Sequence, residues 1–83
     1  MRPYTLFVQN EVMNRLLQTS SARRRPLLAF FEKLADNPYQ AGEFQIRDTH
    51  DRPAEVTRVG RWLVTYCADH AVCEVQVLDL QPL

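Results

Sequence analysis

The stretch Arg58-Val-Gly-Arg-Trp62-Leu-Val-Thr-Tyr66-Cys-Ala-Asp-His70-Ala-Val-Cys73-Glu-Val-Gln-Val77-Leu-Asp-Leu80 decides the fold, because two β-rich runs flank Asp69 and His70 and spell a β-hairpin. A two-residue turn at Asp69 and His70 predicts Ala68 opposite Ala71, Cys67 opposite Val72, Tyr66 opposite Cys73, Val64 opposite Val75 and Trp62 opposite Val77. Trp62, Val64, Tyr66, Cys73, Val75 and Val77 then share an apolar face. Leu63, Thr65, Cys67, Val72, Glu74 and Gln76 share a mixed one. A three-residue turn would set Glu74 and Gln76 beside Trp62 and bury polar groups, so the two-residue turn is the expectation.

Working outward, Tyr4 to Val8 reads as a first strand after Pro3. Asn10 is placed to cap a helix in which Val12 or Met13, Leu16 and Leu17 recur at helical spacing, up to the break at Thr19-Ser20-Ser21. So short a break predicts a helical hairpin. The second helix runs from Ala22 or Arg23 to Ala35 with Leu27, Phe30, Phe31 and Leu34 as its apolar stripe, and Pro26 is expected in its first turn. Asp36-Asn37-Pro38 stops it. Glu43 to Arg47 and Glu55 to Val59 alternate as strands around the loop from Asp48 to Pro53. The order β-α-α-β-β-β-β predicts an α+β fold, a curved antiparallel sheet with the helical hairpin packed on one face, in a single domain spanning residues 1–83. On the other face we expect Gln45, Arg47, Glu55, Thr57, Leu63, Thr65, Glu74 and Gln76, with Arg61 at the margin.

Bulk properties narrow the function. The longest apolar run is Leu27 to Phe31, so no membrane span is expected, and without a signal-peptide stretch the expected location is the cytoplasm. Cys67 and Cys73 are expected as thiols. Cys67, His70 and Cys73 have the spacing of a metal clip, but opposite sheet faces and no fourth ligand argue against zinc, and neither metal nor cofactor is expected. The formal charge is zero yet divided: residues 1–42 carry six cations against three acids, residues 43–83 four against seven. The sheet half is therefore acidic, which opposes phosphate binding there.

The string Leu34-Ala-Asp-Asn-Pro38 closing the second helix, Gly42, Glu55-Val-Thr57 and the run Val59-Gly-Arg-Trp-Leu-Val-Thr-Tyr66, in this order, resembles the RelE/ParE superfamily of type II toxin–antitoxin toxins. The resemblance covers Tyr4 to about Leu80. It implies a cognate antitoxin partner, growth arrest, and one of two activities, cleavage of messenger RNA on the ribosome or poisoning of DNA gyrase. Ribonuclease members carry arginines and lysines on the open face. Here Thr57 and Leu63 stand at two such positions, and Asp79-Leu-Gln-Pro-Leu83 replaces a basic ending. An antitoxin-binding toxin is therefore the leading expectation, with an mRNA endonuclease, a gyrase inhibitor and an inactive antitoxin-binding paralogue as alternatives. Ribonuclease chemistry needs an acid, a base and cations. The candidates for those roles are Arg47, His50, Glu55 and Arg61. Partner contacts are expected from Arg23, Arg24, Arg25, Arg58, Leu63, Thr65, Glu74 and Gln76. The cations of Arg23 to Arg25 oppose the dipole of the helix they begin, and that favours contact with a partner, either a nucleic-acid backbone or an acidic antitoxin segment.

Overall fold

A computed structural model describes residues 4–83. Arg2 and Pro3, which entered the charge balance and the first-strand expectation, lie outside the described residues. The elements are β1 (Thr5–Val8), α1 (Asn10–Leu17), α2 (Ser21–Asp36), β2 (Phe44–Arg47), β3 (Pro53–Val59), β4 (Trp62–Asp69) and β5 (Glu74–Pro82). The strands form one sheet in the order β1-β5-β4-β3-β2. Pairs β2–β3, β3–β4 and β4–β5 are antiparallel, as short connections require. The sheet is mixed, not wholly antiparallel, because the helical hairpin returns the chain so that β1 runs parallel to β5.

Both helices lay apolar stripes on the same sheet face. Val12 and Leu16 of α1 and Leu27, Phe31 and Leu34 of α2 join Trp62, Val64, Tyr66, Val75, Val77 and Leu80 in one buried cluster. Of the α1 alternatives Val12 is the inward residue, while Met13 and Leu17 are exposed. Asn10 is the first helical residue rather than the cap. Gln9 holds that place with no side-chain bond, because the chain leaves β1 immediately before it. Ser20 caps α2, accepting from the Arg23 N–H, and this fixes the helix start at Ser21. Pro26 therefore falls in the second turn, not the first; its ring faces the β3–β4 turn, where an atom added to Gly60 would meet it at 3.5 Å. Two further bonds pin helices to sheet: Arg15 donates to the Leu80 carbonyl at 2.8 Å and the Trp62 indole to the Arg23 carbonyl at 3.3 Å.

The β4–β5 hairpin closes differently from expectation. His70 to Cys73 form a four-residue connection, with the Asp69 carboxylate accepting from the Ala71 N–H at 3.1 Å and Cys73 at φ 53°. Asp69 therefore pairs with Glu74, Ala68 with Val75, Cys67 with Gln76 and Tyr66 with Val77. This shift is even, so each side chain keeps its predicted face, but Cys73 and Val72 leave the paired strands. A bulge between Thr65 and Tyr66 then brings Leu80 opposite Val64 and Asp79 opposite Thr65.

Gly42 fixes how the chain enters β2. A Cβ there would sit 2.6 Å from the Val56 carbonyl oxygen and 2.9 Å from its nitrogen, both backbone atoms that cannot move aside. Gly42→Ala is expected to break the 2.9 Å bond from the Glu43 N–H to the Val56 carbonyl and to destabilise the protein by about 2 kcal/mol, read as a lowered urea midpoint at unchanged m.

Candidate functional site

The face of the sheet away from the helices is built by register. Val59 pairs with Trp62 across the Gly60-Arg61 turn, so Thr57 and Glu55 share the helix side with Val64 and Tyr66. Gln45 and Arg47, paired with Glu55 and Pro53, follow them. The expectation that these four side chains occupy the open face is thus overturned, and the cause is the parity set by that two-residue turn. In their place the open face carries Ala54, Val56 and Arg58 of β3 and Phe44 and Ile46 of β2. From the other edge come Phe7 beside Gln76 and Thr5 beside Glu74.

The resulting surface is apolar. Phe7 and Phe44 are each 49% exposed and Ile46 is 42% exposed, while Ala54, Val56, Thr65 and Cys67 are buried beneath. Burial pushes the Cys67 thiol up, so it is a protonated, unreactive packing residue. Both cysteines are free.

The loop from Asp48 to Arg52 folds over one end of this face and encloses a groove of about 450 Å³ reaching Gln9, Ile46, Thr65, Leu78 and Asp79. Its two arginines are already engaged. Arg52 donates from Nε to Asp48 at 2.8 Å and reaches Gln76 at 3.5 Å; Arg47 donates to the Asp51 carbonyl at 3.0 Å. Asp48 also accepts from the backbone N–H groups of Arg52 and His50, each at 2.9 Å. The Arg52 backbone bond leads these contacts in holding the Asp48 carboxyl below the usual carboxylate range. With Asp48 and Asp79 beside them, the arginines leave the groove without a net positive charge.

The four catalytic candidates do not meet. Arg47, on the helix side by register but at the very end of β2, borders the groove of the Asp48–Arg52 loop together with His50, Glu55 lines a cavity on the helix side, and Arg61 sits with Arg23, Pro26, Gly60 and Trp62 at the far turn. Among the partner-contact candidates, Arg58, Leu63, Thr65, Glu74 and Gln76 share the open face. Arg58 pairs there with Glu43 at 3.4 Å. Arg23 lies over the Trp62 ring at 5.3 Å, and Arg24 turns back to the Thr19 carbonyl at 2.8 Å, tying the link between the helices; Arg25 is exposed. The exposed apolar residues Phe7, Phe44 and Ile46 were not expected on this face, although counting back from Trp62 across Gly60-Arg61 assigns β3, and with it β2, to the correct sides.

This architecture is the RelE-like toxin fold. Superposed on a chain of the archaeal RelE–RelB complex from Pyrococcus horikoshii OT3, the protein gives a TM-score of 0.79 at 21% identity, over 98% of its own length and 96% of the other. The toxin–antitoxin complex RelBE2 from Mycobacterium tuberculosis gives 0.78 at 18% identity, over 99% and 100%. At such identities the likeness is one of fold. The sequence matches no family model and no curated protein.

Proposed function

We propose that this chain is the toxin-like member of a type II toxin–antitoxin pair, acting in the cytoplasm as one domain, whose helix-free sheet face is the seat of a cognate antitoxin and whose release arrests growth. The supporting observation is the exposure of Phe7, Phe44 and Ile46 on that face, around arginines that are already bonded. Such a surface fits the apolar side of a partner segment better than a phosphate backbone. The structural neighbours, both complexes of toxin and antitoxin, agree with this reading. An endonuclease needs its acid, base and cations around one scissile bond, and Arg47, His50, Glu55 and Arg61 line three separate cavities.

Expression alone is expected to stop growth, and co-expression of the adjacent small gene to restore it and to yield a complex that survives purification. Co-purification without any growth arrest would identify an inactive antitoxin-binding paralogue. Cuts in ribosome-bound transcripts would favour the endonuclease, and DNA damage signalling the gyrase inhibitor.

A further inference from the structure

A second cavity, of about 360 Å³, lies on the helix side of the sheet where α2 ends. Gln45, Glu55 and Tyr66 stand abreast on β2, β3 and β4, and residues 38–41 wall them in. Two of these side chains are fixed by the wall itself. The Tyr66 hydroxyl donates to the Gln40 carbonyl at 3.0 Å, and Glu55 Oε1 accepts from the Gly42 N–H at 2.8 Å. The other carboxylate oxygen of Glu55 has no partner among the described residues, and Glu55 forms no ion pair among them.

An aromatic platform borders the same cavity. The Tyr39 ring stacks on the His70 imidazole, centroids 4.5 Å apart and planes 12° from parallel, and the Tyr4 hydroxyl holds the imidazole with a 2.6 Å bond at Nδ1. Tyr39 is nonetheless 73% exposed, so its ring is presented to a ligand ready positioned.

The charges around this cavity favour a cation. Its described wall contains the Glu55 carboxylate and neither lysine nor arginine. The C-terminal end of α2, the negative end of its dipole, lies at Asp36, two residues before the wall begins at Pro38. Tyr66, pushed up to about 12 by burial and by the Glu55 charge, stays neutral at physiological pH and leaves Glu55 the principal charge. A nucleobase would also stack on Tyr39, but the described wall has no lysine or arginine to neutralise its phosphate, and the Glu55 carboxylate would repel it. A guanidinium satisfies every group at once, since it is flat enough to stack on a tyrosine and forked enough to meet a carboxylate.

We propose that this cavity binds the guanidinium of an arginine side chain carried by a partner protein, with Glu55 pairing its charge and Tyr39 stacking on its plane. The site stands apart from the antitoxin reading, which concerns the opposite face of the sheet, so either can fail alone.

The test is a titration of the isotope-labelled full chain with N-acetyl-arginine methylamide, followed by NMR. Saturable shifts are expected at Gly42, Gln45 and Tyr66, with a Kd of about a millimolar. Glu55→Gln keeps an acceptor for the Gly42 N–H, so the fold survives, and it is expected to weaken binding about tenfold. Tyr39→Leu, at an exposed position, should weaken it about threefold, and the lysine analogue should bind several-fold less tightly than the arginine one. Absence of saturable shifts, unchanged affinity in Glu55→Gln, equal binding of the lysine analogue, or tighter binding of guanosine monophosphate at the same amides would each overturn the proposal.

Discussion

Placing aspartate at both Phe44 and Ile46 is expected to weaken binding of the adjacent-gene product by about 100-fold or more while leaving the toxin-like chain folded. The two side chains pair with Val56 and Ala54 and project from the same face of the edge strand β2. Truncating a central apolar anchor at an interface commonly costs about 2 kcal/mol, and a carboxylate pressed into the partner adds a desolvation cost. A total near 2.7 kcal/mol corresponds to a hundredfold change in Kd. The fold is spared because both residues are partly exposed and lie outside the cluster beneath the helices. Calorimetric titration reads the affinity and near-ultraviolet circular dichroism the packing. Gln45→Asp, one position along the strand but on the opposite sheet face, serves as the matched control and should leave the affinity unchanged.

The largest effect on stability is expected at Leu27. This side chain is fully buried between α2 and the sheet, and Leu27→Ala should cost about 3 kcal/mol through lost transfer energy and the cavity left behind. For a domain of this size that lowers Tm by on the order of 15 °C. Leu28→Ala is the counterpart: the neighbouring leucine is 48% exposed, and its truncation should move Tm by no more than about 3 °C. A thermal melt of the two variants side by side separates the inward and outward sides of α2.

The fold was readable because its signals are periodic and local. Leu27, Phe31 and Leu34 recur at helical spacing and are all buried, and the hairpin from Trp62 carries an alternation that survived a wrong turn length. That alternation has a period of two, so the change from a two-residue to a four-residue connection left every core residue on its side. The pairing of β1 with β5 was not readable, since nothing in four residues of β-rich sequence names a partner strand. The site was harder to read because polar and apolar residues in β3 alternate against the usual rule. Glu55 and Thr57 lie on the helix side while Val56 is buried on the other, and only the turn at Gly60-Arg61 encodes that inversion. The scarcity of free cations on the open face, by contrast, was legible from Leu63 and the acidic C-terminal segment, whereas Thr57, which had suggested the same, lies on the other side. What the sequence did not disclose is that loop contacts to Asp48 and Asp51 engage Arg52 and Arg47 as well.

Ile46 is the only isoleucine in the chain, so selective methyl labelling places a single probe on the open face. On formation of the complex with the adjacent-gene product, its methyl signal is predicted to shift and to become shielded from a soluble paramagnetic relaxation agent. A stable complex in which that methyl keeps its free-state shift and its full exposure would contradict the placement of the partner on the helix-free face.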